Sequence, residues 1–538
     1  MIGADAIVKC LEAEKVDTVF GYPGVAIAPL FNSMLNSNIN RILVRTEQNA
    51  AHAANGYARV SDRVGVCIAT SGPGATNLIT GIATAYADSI PLICITGQVD
   101  SSLIGSDVFQ EADITGAAES FVKYSYLIKD VNDIPRIFKE AFYIASTGRK
   151  GPVLIDIPMD IQNAAIKRFK YPQEVTLRTY KPTVKGHAVQ IKKVFTELST
   201  AKKPIICAGG GVILSGAKYL LKDFSHKYGI PVVSTMMGLG VMPTEDPLYF
   251  GMVGNNGKGY ANRAMNESDL LIMIGARVAD RAISQPDLII ENKVLIHIDV
   301  DPCEIGKNVG PHIPLVGDIS SIFEDFKQHD LNANYSDWVN TLQKYKAEYN
   351  VNRNIGDGYL DPAEFIMALS EEMNNDAIYV ADVGQNQMWS CKYHIIKEGN
   401  FLTSGGMGTM GYSIPAALGA KISSPNRQVV AVCGDGSFQM SMMELATIKQ
   451  HNIPVKIIIF RNGFLGLVRE YQDKSYKGNY SMVDLSGSPD FAKIAEAYDI
   501  PYVRLDSDIN LNAIVKEFLK DNNSAIMECI IDPYCFAK

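Results

Sequence analysis

No run of apolar residues in this sequence exceeds about ten, roughly half of what a helix needs to cross a bilayer, which excludes a membrane-spanning chain. Positive charge is not in excess either. Lys and Arg number 50 against 58 Asp and Glu, a net charge of −8, and no basic run reverses the sign locally. That argues against a nucleic-acid binder. None of the nine cysteines forms a CxxC pair, and several (Cys67, Cys94, Cys433) fall inside apolar strands. They read as buried thiols in a reducing compartment, so the expected location is cytoplasmic. The chain enters a helical pattern at Ala4-Asp5-Ala6-Ile7-Val8, with no charged leader or cleavage site before it. Short solenoid-type repeats are absent.

What the sequence has is alternation. Apolar strands and helical patterns follow one another three times over, which predicts α/β units built on mostly parallel sheets flanked by helices. Predicted strands include 65–70, 91–96 and 153–157 in the first third, then 204–208, 269–274 and 294–300. The last third has 377–381, 429–433, 455–460 and 525–531. Polar stretches at 167–186 and 327–358 separate the thirds. The length of 538 residues suits three domains, placed at 1–166, 187–328 and 359–538.

Two segments carry chemistry. In the last third an apolar strand runs into Gly434-Asp435-Gly436-Ser437 and a helix starts at once. A second strand then delivers Asn462. A carboxylate at a strand-to-helix turn, beside free backbone N–H groups, suits an anion bridged by Mg²⁺. Parallel neighbouring strands would bring Asp435 and Asn462 to one carboxyl edge, where such sheets bind ligands. In the first third, Glu47 leaves a strand and opens a helix rich in Ala, small enough to let another helix approach closely. Alone, Glu47 would be a capping carboxylate. Ser71-Gly72-Pro73-Gly74-Ala75-Thr76-Asn77 is a second glycine turn opening a helix.

These segments, with Phe20–Gly24, Gly105–Glu111, Gly151–Pro158, Gly406–Tyr412 and Gly466–Val468, resemble the catalytic large subunit of the acetohydroxyacid synthase (acetolactate synthase) family of thiamine-diphosphate enzymes. The resemblance implies three domains: pyrimidine-binding, central FAD-binding-like, and diphosphate-binding. It implies Mg²⁺ held by Asp435, Asn462 and the Phe464 carbonyl. Thiamine diphosphate would contact Glu47, Asn77, Gln385, Asn386, Gly408, Met410, Gly434, Gly436, Ser437 and Gly466. Glu47 would activate the cofactor from a water-poor cleft, Met410 would keep it bent, and Gly24, Phe109 and Gln110 would line the reaction pocket. The implied reaction decarboxylates pyruvate and joins the two-carbon unit to pyruvate or 2-ketobutyrate, the first step of branched-chain amino-acid biosynthesis. FAD with a structural role is implied by Arg149, Gly209-Gly210-Gly211, Arg277, Arg281, Asp299 and Asp318. The glycine triplet lacks the G-x-G-x-x-G spacing of a dinucleotide fingerprint. A site shared across a homodimer or dimer of dimers follows from the family, and a regulatory small subunit is possible.

The chain departs from the family pattern at several positions. Arg461 stands for the first Asn of an Asn-Asn pair, Asn386 for a common His, Thr46 for another, and Asn255-Asn256 for a Met-His pair. Val278-Ala279 replaces Phe-Asp, and Tyr471 replaces a Trp that favours 2-ketobutyrate, which implies a bias toward acetolactate. A flavin-free catabolic acetolactate synthase, or another 2-keto-acid decarboxylase using thiamine diphosphate, is the nearest alternative. A catalytically silent binding subunit is a further one.

Overall fold

The computed structural model describes residues 1–537 apart from 284, 286–288 and 351–354. Three six-stranded sheets are built in succession, every strand pairing parallel to its neighbours. The first contains β1 (Thr18–Tyr22), β2 (Asn40–Leu43), β3 (Gly65–Ala69), β4 (Leu92–Gln98), β5 (Tyr124–Leu127) and β6 (Val153–Pro158). The middle sheet has β7 (Pro204–Ala208), β8 (Val232–Ser234), β9 (Tyr249–Met252), β10 (Leu270–Ile274), β11 (Val294–Asp299) and β12 (Ile313–Val316). The third has β13 (Ile378–Ala381), β14 (Asn400–Thr403), β15 (Val429–Gly434), β16 (Lys456–Arg461), β17 (Tyr502–Leu505) and β18 (Ala525–Ile530). Central strands such as β3, β7 and β10 are buried along their whole length, as parallel strands covered on both faces must be.

The strand orders decide where ligands can bind. The first sheet runs β2-β1-β3-β4-β6-β5 and the third β14-β13-β15-β16-β18-β17, the same winding twice. The middle sheet runs β12-β11-β10-β7-β8-β9. In each, the chain reverses direction at one point, between β1 and β3, β7 and β10, or β13 and β15. Crevices open there at the carboxyl ends. Glycine turns leave every one of those strand ends: Gly24, Gly72, Gly209–Gly211, Gly275, Gly384 and Gly434.

Helices α1 (Glu47–Ser61), α2 (Gly210–Leu214), α3 (Gln385–Tyr393), α4 (Ser413–Ser423), α5 (Asp435–Ser441) and α6 (Gly466–Tyr476) position the site residues. The partner expected for the Ala-rich α1 is α4, from the third unit. The two cross so closely that a Cβ on Gly56 would enter the Ala416 carbonyl, and one on Gly419 the Ala53 carbonyl. One hydrophobic core consequently runs through both units, joining Ala50, Ala54 and Ile82 to Ala417, Val429 and Phe438.

The segment 167–186 is irregular and tied down by tyrosines. Tyr171 donates to Glu14 Oε1 (2.8 Å) and Tyr180 to the Thr147 carbonyl (2.6 Å). The middle unit extends past the expected boundary at 328. Helix Ser336–Glu348 buries Trp338 and Leu342 against the middle sheet, and Trp338 Nε1 donates to the Pro204 carbonyl (3.1 Å). Polar composition concealed an amphipathic helix whose one apolar face belongs to that core. Among the described residues no helix is long and apolar enough to cross a membrane. All nine cysteines are unpaired, and only Cys303 is exposed.

Asp156, on β6, is buried beneath the loop that leaves β4. It accepts from Thr96 Oγ1 (2.7 Å) and Gln98 Nε2 (3.0 Å), and Gln98 also donates to the Ala112 carbonyl (2.8 Å). Burial pushes its carboxyl from the ordinary 3.8 up to about 7, against the pull of those donors.

A side chain at the α1–α4 crossing should split the shared core. Gly419→Val is expected to cost about 3 kcal/mol or more and to separate calorimetric unfolding into distinct transitions. An unchanged single transition would show that this approach does not join the units. Asp156, with its folded-state pKa raised, contributes stability that is present below about pH 4 and lost as pH rises through about 7. The melting temperature of wild type relative to Asp156→Asn should fall across that window, and a difference independent of pH counts against it.

Candidate active site

The third sheet's crevice holds a small cavity of about 110 Å³ whose walls come entirely from residues 383–531. Asp435 sits there at the first position of α5, 2% exposed. Its Oδ2 accepts from the Gly463 N–H (2.7 Å) and its Oδ1 from the Gly436 N–H (2.9 Å). Burial pushes its carboxyl up to about 6, and those N–H donors and the Arg461 charge pull the other way. Arg461 forms no ion pair with it. Its guanidinium turns to Glu528 (2.7 Å) and lies over the Phe491 ring, while Tyr502 donates to the other oxygen of Glu528. The departure at 461 is a partner for a buried glutamate.

Asn462 completes the turn. Its Nδ2 donates to Gln385 Oε1 (3.0 Å), and its Oδ1 accepts from the Phe464 N–H (2.9 Å). The Phe464 carbonyl has no backbone partner among the described residues, although the flanking pairs Leu465 to Val483 and Leu485 to Gly463 are made. The Phe464 ring is braced by Arg469, whose guanidinium lies 4.2 Å from its centroid and 4.4 Å from that of Tyr534. A carboxylate, an amide oxygen and a backbone carbonyl thus line one cavity. They are the hard donors that Mg²⁺ takes, and three oxygens leave positions for phosphate and water. Among the described residues no group of three His, Cys, Asp or Glu side chains offers a competing metal cluster. Gly466 leaves room for this pair, since a Cβ there would displace Gln385 Oε1 and Asn462 Nδ2.

Gln385 and Asn386 line this cavity, with their donors already engaged. Gln385 Nε2 donates to the Cys535 carbonyl (3.2 Å) and Glu470 Oε2 (3.3 Å). Asn386 Nδ2 donates to the Asp382 (2.7 Å) and Val432 (3.3 Å) carbonyls. From the cavity wall they also brace the strand ends and Asn462.

Met410 reaches the cavity from the loop 404–412. Asp382, buried and pushed up to about 6, accepts from the Gly411 (2.9 Å) and Ser413 (2.8 Å) N–H groups. At the other end Asp88 of the first unit accepts from Gly406 N–H (2.7 Å) and pairs with Arg59 (2.5 Å). Sequence reading missed Asp88, Asp382 and Arg469 as organisers, since each acts on residues far along the chain.

A second cluster lies in the first sheet's crevice. Glu47 opens α1, half-buried, and its Oε2 accepts from Asn77 Nδ2 (3.0 Å). Gly74 packs beside Glu47 Oε1, Gly24 against Thr70, and Gly72 (φ 59°) against the backbone of Gln110. Gln110 itself is left-handed (φ 60°), in a loop folded around the Glu111 carboxylate. That carboxylate accepts from the N–H groups of Gly105 and Val108, which hold it below the usual range. Phe109 projects from the loop, 87% exposed. None of this cluster lines the Asp435 cavity.

A larger cavity of about 670 Å³ follows the carboxyl edge of the middle sheet. Gly210, Gly211, Arg149, Arg277, Arg281, Asp299 and Asp318 all line it, as does Gly408. Gly209 does not line it, being packed on the backbone of Gly275 and Ala276. Arg149 is paired with Glu304 (2.7 Å) and Asp301 (3.3 Å), whereas Arg277 and Arg281 make no side-chain bond among the described residues. Burial pushes Asp299 up to about 6. Asp318 caps the helix Ile319–Phe326.

The chain matches, in order, the models of the thiamine pyrophosphate enzyme N-terminal TPP-binding domain (residues 1–117), central domain (191–326) and C-terminal TPP-binding domain (382–529). It is 44% identical to the probable acetolactate synthase large subunit of Methanocaldococcus jannaschii, over 99% of this chain and 92% of that one. Acetolactate synthase large subunits of Haemophilus influenzae and Lactococcus lactis are each 42% identical, covering 97% and 96% of this chain and 93% and 91% of their own lengths. With two TPP-binding domain matches on sheets of one winding and full-length likeness of this order, the chain belongs to the thiamine pyrophosphate enzymes, in the family of acetolactate synthase large subunits.

Proposed function

We infer that this chain is the catalytic subunit of an acetolactate synthase, which decarboxylates pyruvate and passes the two-carbon unit to a second 2-keto acid, the first step of branched-chain amino-acid biosynthesis. The observation that carries the reading is the pair of crevices, one holding Glu47 and the other Asp435, in units of one winding. Bound thiamine diphosphate would supply the electron sink that lets a 2-keto acid lose carbon dioxide and its remainder add to a carbonyl. The chain's residues bind, orient and move protons. Asp435, Asn462 and the Phe464 carbonyl would hold Mg²⁺ and through it the diphosphate. Glu47 is oriented through Oε2 by Asn77, and its Oε1 has no hydrogen bond among the described residues, free to hold and return a proton. Met410 would give bulk beneath the ring system. Gln110 would donate its amide to the keto-acid oxygen, with Gly24 and Gly72 leaving the space.

Because the Asp435 cavity takes no wall from the first unit, the reading includes a second copy of the chain, whose Glu47 crevice completes each site. Phe109 would then cover the pocket and exclude water. The large cavity suits FAD: two arginines without a partner among the described residues for a diphosphate, and carboxylates for ribose hydroxyls. Its role would be structural, since the net reaction transfers no electrons. A regulatory small subunit and a cytoplasmic location accompany this reading. General 2-keto-acid decarboxylation is not favoured, given relatives that carry the acetolactate synthase name over nearly the whole chain.

Purified protein with thiamine diphosphate, Mg²⁺ and FAD should form acetolactate from pyruvate. In competition with 2-ketobutyrate the four-carbon acceptor should gain little, because Tyr471 on α6 is 58% exposed and one methylene is worth only about 1–3 kcal/mol. Release of acetaldehyde in place of acetolactate would overturn the assignment. Glu47→Gln and Asp435→Asn should each lower turnover at least about 100-fold. Mixed as subunits, the two dead variants should recover about a quarter of wild-type activity, since only hybrid dimers hold one intact site. No recovery, with hybrids demonstrably formed, would place Glu47 and Asp435 of one chain in one site.

A further inference from the structure

One uncharged polar side chain in the large cavity has no partner among the described residues. Asn256 is 6% exposed and lines the cavity, its Oδ1 is buried without a partner, and its Nδ2 makes no hydrogen bond among the described residues. The turn that carries it is fixed. Gly254 N–H donates to Asn262 Oδ1 (2.8 Å), Asn262 Nδ2 donates back to the Gly254 carbonyl (3.0 Å), and Asn255 N–H donates to the Arg281 carbonyl (3.1 Å). The carboxamide on this turn is buried, and buried polar groups are hydrogen-bonded as a rule.

Strand order says which part of a ligand meets it. Along the carboxyl edge of β12-β11-β10-β7-β8-β9, Asp318 follows β12, Asp299 ends β11, Arg277 and Arg281 follow β10, Gly210 and Gly211 follow β7, and Asn256 follows β9. Asp318 and Asn256 therefore lie at opposite ends, five strand spacings or roughly 24 Å apart along the sheet, with Asp299 one strand further in and the arginines between. A mononucleotide cannot reach both ends; a dinucleotide can. Carboxylates suit ribose hydroxyls and arginines suit a diphosphate, which leaves the second ring system for Asn256. The wall also includes Gln387 and Met388 of α3, a helix of the third unit that meets β9.

We propose that Asn256 reads the imide edge of the flavin ring, its Oδ1 accepting from the ring N3–H and its Nδ2 donating to an adjacent ring carbonyl. The proposal rests on the flavin reading of the cavity. A carboxamide offers this donor–acceptor pair side by side and without charge, whereas the His typical of the family offers one function per ring nitrogen. Asn256 is then a determinant of which dinucleotide binds, and its replacement of His is a change of hydrogen-bonding register.

The test is binding, read by quenching of flavin fluorescence in flavin-depleted protein, with ADP affinity measured in parallel by calorimetry. Asn256→Leu should weaken FAD at least tenfold and leave ADP unchanged. FAD methylated at N3 should bind wild type at least tenfold more weakly than FAD, and lose nothing further in Asn256→Leu. Equal FAD affinity in wild type and variant would overturn the proposal, as would equal losses for FAD and ADP, which mark a cavity-wall defect. Should the variant fail to fold, equal binding of FAD and its N3-methyl form to wild type overturns it alone. Wild type that binds ADP and no flavin refutes the flavin reading itself.

Discussion

The backbone of α1 touches the backbone of α4 because neither helix carries anything larger than a methyl group where they cross. That contact takes the first and third units out of independent existence. Their sheets share one core, and the loops at their carboxyl edges are held at fixed positions on either side of it. Dispersion and apolar burial at such short range are lost steeply with separation, so the tolerance of the crossing is small. The Asp88–Arg59 pair adds direction to this attachment. A carboxylate of the first unit seizes the N–H groups of a loop that belongs to the third, and that loop carries Gly408 on the large cavity and Met410 on the small one.

The same attachment explains why the chemistry is divided. A crevice between β13 and β15 provides oxygens and a buried carboxylate raised by desolvation, a place that takes a cation readily and tolerates a bare charge poorly. A crevice between β1 and β3 provides a glutamate with one oriented oxygen and a pocket wall supported by left-handed backbone. The shared core fixes each crevice on its own unit, and the Asp435 cavity takes its walls from the third unit alone.

Much of this was legible in the sequence. Fully buried parallel strands read as continuous apolar runs, and Gly434-Asp435-Gly436 or Glu47 at a helix start are local patterns whose geometry the chain cannot avoid. What local pattern could not show is where side-chain donors are spent. Gln385 and Asn386 stand at the predicted cavity, yet their amide groups hold Asn462, Cys535 and the ends of β13 and β15. Arg461 looked like an intrusion on the metal turn, and Glu528, many residues later, accounts for it. Trp338 lay in a stretch polar enough to pass for a linker, and only the floor of the middle sheet reveals its face as buried. In each case the deciding contact joins residues far apart in sequence.

The α1–α4 crossing has one more property. Gly56 meets Ala416, and Gly419 meets Ala53; Gly56 and Gly419 are 363 positions apart, and so are Ala53 and Ala416. The helices follow corresponding strands, β2 and β14, of sheets with one winding. A contact in which residue i touches the counterpart of j, while j touches the counterpart of i, is the isologous pattern of a twofold dimer. Within a single polypeptide, the outer units meet as symmetric partners do. The same offset places Glu47 opposite Met410 as counterparts, each just ahead of its helix's crossing point. Quasi-equivalent positions thus hold a carboxylate in one unit and an apolar thioether in the other. An internal twofold axis with unlike occupants converts one architecture into two complementary surfaces.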